Sequence, residues 1–147
     1  MKNCSLVVTI LLILTSCAKD KPPVGDYIGT FKGNYTRDSV NIDYTQVYIL
    51  QINESNKTSL TLQYQYHISE LTKDNHNISG TLDFIEIRGG SEGHIWGPIE
   101  VHGSWKKEKS NYTISGNFSR LYTILSALDS TKFEFPIKGT FKIESNF

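Results

Sequence analysis

Cysteine is almost missing from this chain. The 147 residues hold two, Cys4 and Cys17, so everything from Ala18 onward has no thiol nucleophile and no disulfide of its own. Stability beyond residue 17 has to come from burial. An excess of charge of one sign is missing as well. Fifteen Lys and Arg face fifteen Asp and Glu, and the chain carries no basic stripe of the kind that binds phosphates, which argues against nucleic acid as a partner. No apolar run approaches the roughly 20 residues that a membrane-spanning helix needs. Catalytic signatures are also lacking: there is no Gly-x-Ser-x-Gly elbow, no His-Glu-x-x-His pair, no Walker loop and no dinucleotide fingerprint. The expectation is a protein that is not an enzyme, with no cofactor and no resident metal.

What is present begins with a short leader. Lys2 precedes an apolar core, Leu6 to Leu14, that ends at Leu14-Thr15-Ser16-Cys17. A positive residue, a short apolar stretch and a small-residue pair read as a cleaved export signal over residues 1–16. The quartet resembles the lipobox of bacterial lipoproteins. That resemblance implies cleavage before Cys17 and acylation of Cys17. Several acyl chains, at about 0.8 kcal/mol for each buried CH₂, make such an anchor effectively permanent. The partner so implied is a membrane, and the address is the cell envelope, with the outer membrane expected. The alternative is an ordinary secretory signal in which Cys17 falls by coincidence. Residues 17–25, with Lys19, Asp20, Lys21, Pro22 and Pro23, read as the lipidated cysteine and an extended tether. Residues 26–147 read as one domain.

From Asp26 the apolar residues recur with a period of two, the signature of half-buried strands. Tyr27, Phe31 and Tyr35 share a face with Gly29 and Gly33. Ile42, Tyr44, Tyr48, Leu50 and Ile52 follow, and Val47 and Ile49 on the other face suggest cover on both sides. A third run is read as continuous from Leu60 through Leu62, Tyr64 and Tyr66 to Ile68. The opposite parity of Ile85 and Ile87 after Leu82 and Phe84 predicts a bulge. Later runs are Ile99 to Trp105, Tyr112 to Phe118, and Phe133 to Ile143, with a charged turn over Lys107–Ser110. Leu121, Ile124, Leu125 and Leu128 are spaced as on a helix. They predict a short helix over residues 119–128, with a continued irregular strand as the alternative. The fold class is therefore all-β, an antiparallel meander of about eight strands.

Gly29, Gly33, Gly103, Gly116 and Gly139 all share parity with the large apolar residues, which predicts sharp inward bends. Gly29-Thr30-Phe31, Gly103-Ser104-Trp105 and Gly139-Thr140-Phe141 resemble the glycine–x–aromatic signatures of lipocalin-like barrels. The resemblance implies a cup-shaped barrel, or a rolled sandwich of the same strands, that often holds an apolar ligand.

Tyr27, Tyr35, Tyr44, Tyr48, Tyr64, Tyr66, Trp105 and Tyr112 lie on the expected inner face and are the candidate lining of a site for a small apolar or amphipathic ligand. A filled core with hydroxyls at the rims is the other reading of the same residues. A protein-interaction module, such as an inhibitor or an envelope assembly factor, is the alternative function. Its surface would be the Gly89–Gly93 loop and the face carrying Glu100 and His102. Glu92, His94, Glu100 and His102 are read as solvated surface in preference to a metal site. Asp38-Ser39-Val40 and Asp129-Ser130-Thr131 resemble acceptors of an O-glycosylation system of some Gram-negative bacteria.

Overall fold

The computed structural model describes residues 22–146. The leader, Cys17 and residues 18–21 of the tether lie outside the described residues. Nine strands follow one another: β1 (Gly25–Arg37), β2 (Val40–Ser55), β3 (Ser59–Tyr64), β4 (His67–Asp74), β5 (Asn77–Leu82), β6 (Glu86–Arg88), β7 (Glu92–Glu108), β8 (Asn111–Ser126) and β9 (Lys132–Ser145). All pairings are antiparallel. The sheet runs β5-β4-β3-β2-β1-β9-β8-β7-β6, and a further β5–β7 pairing closes it into a barrel-like ring. The strands turn back on themselves at residues that tolerate left-handed backbone. Asp38 and Ser39 both have positive φ between β1 and β2, and Asn75 and Lys109 do so in two later hairpins.

The ring is complete at one end only. At the end where β1 starts, β7 pairs with β5 from Ile99 to Ser104 and β2 pairs with β3 from Gln51 to Ser55. Toward the other end β7 exchanges β5 for the short β6, through His94–Trp96. The exchange happens at two irregularities. The β5–β6 run is broken at Asp83-Phe84-Ile85, where the parity of Ile85 and Ile87 predicts a bulge, and the β7–β8 register shifts between Trp96 and Ile99. The upper half is thus an open, curved sheet of β6-β7-β8-β9-β1-β2, and the lower half is closed.

Paired glycines make the curvature. Gly33 faces Gly139 across β1–β9, and Gly103 faces Gly116 across β7–β8. A Cβ built on Gly116 would stand 2.1 Å from the His102 carbonyl oxygen, and one on Gly139 2.0 Å from that of Lys32. No side chain fits at these points, so the inward bend rests on glycine itself. Into the space so vacated come large rings. Phe31 packs against Tyr48, Phe118 and Phe141 at centroid distances of 5.5, 5.3 and 5.4 Å, and Tyr48 meets Phe84 at 5.3 Å. Aliphatic residues of several strands complete the core, among them Leu50, Ile52, Leu62, Leu71, Ile114 and Ile143.

Three sequence expectations are corrected. No helix forms over 119–128, because β8 continues through Ser126 in register with β9. Its inward residues there are Arg120, Tyr122 and Ile124, while Leu121 is exposed and Leu128 stands in a turn at 99% exposure; the helical spacing of the leucines is a coincidence of outward and turn positions. The run from Leu60 to Ile68 is not one strand. Gln65, with φ of 53°, turns β3 into β4, which reverses the parity after Tyr64 and leaves Tyr66 and Ile68 outside. Val47 and Ile49, read as partly covered, are 53% and 72% exposed.

Candidate functional site

Where the two irregularities meet, the backbone has carbonyls that no ladder can use. β8 supplies the answer through Arg120, which is inward-facing and 4% exposed. Its Nε donates to the Gly97 carbonyl at 2.7 Å, and Nη2 donates to the carbonyls of Phe84 and Trp96. Nη1 donates to the hydroxyls of Tyr44 and Tyr48 at 2.8 and 2.7 Å. Five N–H groups meet five acceptors, so a buried guanidinium is satisfied without a carboxylate in direct contact. The Tyr48 hydroxyl in turn donates to Glu86 at 3.2 Å, which relays the cation to a half-buried acid. Burial, with Tyr44 and Glu86 adding to it against the pull of Arg120, pushes the Tyr48 phenol well above its ordinary range. This layer of Arg120, Tyr44, Tyr48 and Phe84 crosses the ring and divides its interior.

Above the layer the open sheet carries a second group of rings. Tyr35 and Phe135 lie 5.5 and 5.8 Å from Tyr122, and Trp96 stacks on Tyr122 at 4.8 Å. His94 shares a hydrogen bond of 2.6 Å with the Tyr122 hydroxyl. Arg88 stands 5.2 Å over Trp96, and Arg37 stands 6.0 Å over Phe135. Tyr35, Trp96 and Phe135 are only partly buried. The concave face of the upper half is therefore an aromatic mouth edged by Arg37, Arg88 and His94, each with an acid nearby: Arg37 beside Asp38, Arg88 beside Glu86, His94 beside Glu92.

The eight residues expected to line one interior are spread over three levels. Tyr27, Trp105 and Tyr112 plug the lower end. There the Tyr27 hydroxyl donates to the Pro23 carbonyl at 3.0 Å and Trp105 Nε1 to that of Asn75 at 3.1 Å, with Lys73 beside the Trp105 ring. Burial, with Tyr112 adding to it, raises the Tyr27 phenol as well. Tyr44 and Tyr48 belong to the arginine layer, and Tyr64 packs on Tyr48 at 4.8 Å. Tyr35 alone of the eight reaches the mouth. Tyr66 is 80% exposed in the β3–β4 turn and lines nothing inside. Arg120, Tyr122, Trp96, His94 and Phe135 were not among the residues expected to line the interior. The first two continue the period-two pattern of Tyr112, Ile114, Gly116 and Phe118, and only the helical spacing of the intervening leucines hid them.

The acid and histidine residues considered for a metal are separated by the same register shift. Glu92 and His94 face the mouth, whereas Glu100 and His102, beyond the shift, face outward and pair with Ser119 and Asn117. Outside the ring, grooves run across the strands; one of about 480 Å³ is lined by His102, Asn117, Ser119, Lys138 and Thr140. Ser39 and Ser130 both stand in exposed turns at the mouth end. Among the described residues no helix is long and apolar enough to cross a membrane. Comparison with protein-family models, with curated proteins and with solved structures finds no match to this chain.

Proposed function

We propose that this chain is a lipid-anchored envelope protein whose ring binds a small amphipathic ligand at the aromatic mouth, without catalysing a reaction. The observation that carries the reading is the partial exposure of Tyr35, Trp96 and Phe135 on a concave face, with Arg37, Arg88 and His94 at its edge. Rings that pack on one side and stay open on the other suit a ligand with an apolar body, and the polar groups around them suit one with a head group. Filling of the centre by Phe31, Tyr48, Phe84 and Arg120 argues for a ligand held near the rim, not one swallowed by the barrel.

The anchor rests on Leu14-Thr15-Ser16-Cys17 alone. Cys17→Ser is expected to leave an unprocessed chain without acyl mass; a variant that still carries fatty acids would refute the lipobox. The ligand is tested by native mass spectrometry of the chain released gently from its own cell envelope. A discrete added mass of a few hundred daltons, on the order of a pocket-sized molecule, is expected, and a bare mass counts against the reading.

A further inference from the structure

One long strand in this sheet is paired on one side only. From Val40 to Leu50, β2 is bonded to β1, and β3 takes up its other side from Gln51 onward. Among the described residues, no backbone hydrogen bond outside the ladders reaches this stretch. In an antiparallel strand every second residue points its N–H and C=O away from the neighbour, so a row of donors and acceptors lies open along the edge. Natural edges are guarded by lysine, proline, a bulge or a covering loop. This one has none of those in its sequence: Val40-Asn41-Ile42-Asp43-Tyr44-Thr45-Gln46-Val47-Tyr48-Ile49-Leu50 holds no basic residue, no proline and no glycine, and its register with β1 is unbroken.

Its outward side chains add a second cause for association. Val47 is 53% exposed, Ile49 72%, and Ile28, directly opposite Ile49 on β1, 41%. They form a small apolar patch along the open edge.

We infer that this edge is the interface between two copies of the chain, β2 pairing antiparallel with β2 of the second copy. An antiparallel pair about a two-fold axis presents the same strand to itself, and closure leaves neither copy with this edge free. The charges permit it. Asp43 is the only charged residue in the stretch. A register centred on Val47 uses the part of the edge from Tyr44 to Leu50, which β3 leaves free; it sets Val47 opposite Val47 and Thr45 opposite Ile49, and Asp43 falls outside the paired stretch, so the acid does not meet itself. Cross-strand pairs of β-branched residues and of threonines are the favourable ones. A second copy also brings its own Val47 and Ile49 to the patch, which a polar peptide would not. The interface stands apart from the mouth and holds whether or not a ligand binds there.

Sedimentation of residues 18–147 tests it, since the ladders close the ring within residues 25–145. The expected result is a reversible monomer–dimer equilibrium. The double substitution Val47→Lys with Ile49→Lys, at two exposed positions, is expected to weaken it by at least about tenfold while the circular dichroism spectrum and melting temperature stay as they were. Hydrogen exchange gives a second readout: amides between Tyr44 and Leu50 that point away from β1 should slow as concentration rises. A chain that remains monomeric up to about 1 mM overturns the proposal, as would be seen if the edge served another protein's strand. So does a dimer that ignores both lysines and leaves those amides exchanging freely.

Discussion

Arg120 is the residue on which the irregular part of the ring depends. It donates to three carbonyls that the β5–β6 break and the β7 shift have taken out of the ladder, and to two phenols across the interior. Removing it leaves those acceptors buried and dry, at about 1–3 kcal/mol for each one that water does not reach. Arg120→Leu, which fills similar volume, is therefore expected to lower stability by at least about 3 kcal/mol, since several of the five acceptors lose their donor at once. Urea denaturation measures it. A loss below about 1 kcal/mol would mean that the carbonyls have other partners. The arginine also shows why the site was only half legible in the sequence. An inward charged residue breaks the rule that inner faces are apolar, and the eye then follows Leu121, Leu125 and Leu128 instead. The tyrosines were read correctly as inward where alternation ran undisturbed, at Tyr27, Tyr35, Tyr44 and Tyr48. The reading failed at Tyr66, where a single left-handed residue, Gln65, resets the phase.

At the level of the strand, glycine is the informative residue. Its presence on the inner face predicts curvature, and the pairs Gly33/Gly139 and Gly103/Gly116 are where the sheet bends. What the pattern did not announce is that these glycines face one another, since pairing depends on the register of strands far apart in sequence. The prediction at this scale follows from the close approach at Gly116, where a methyl group would press on the His102 carbonyl oxygen at 2.1 Å and on the Gly103 Cα at 2.4 Å. Both are backbone and cannot swing away. Gly116→Ala is expected to cost at least about 3 kcal/mol, the upper end of overpacking penalties. Gly89→Ala, at a position with nothing within 4 Å, is expected to change stability by less than about 0.5 kcal/mol. Paired thermal melts compare the two directly, and equal losses would contradict the bend as described.

Considered as a whole, the molecule is a ring closed at one end and open at the other. The closed end is where β1 starts, adjoining the tether. If Cys17 carries lipid as proposed, the short segment between it and β1 holds the closed end near the bilayer. The open end, with its aromatic mouth and the turns bearing Ser39 and Ser130, then faces away. The all-β meander and its ring closure were legible from period-two runs, turn residues and inner glycines. The open upper half was not, because nothing local in Val40–Leu50 says that β3 will stop short of it.

One titration tests whether the binding site lies at the mouth. Fluorescence of 1-anilinonaphthalene-8-sulfonate, an apolar ring system with an anionic head, is followed as the folded chain is added. The same is done for Phe135→Ala, at the mouth, and for Tyr66→Ala, in the exposed turn. Saturable binding that weakens about tenfold, or 1.4 kcal/mol, in Phe135→Ala and is unchanged in Tyr66→Ala is the expected result. Binding that is unsaturable, or indifferent to Phe135, would contradict a site at the mouth.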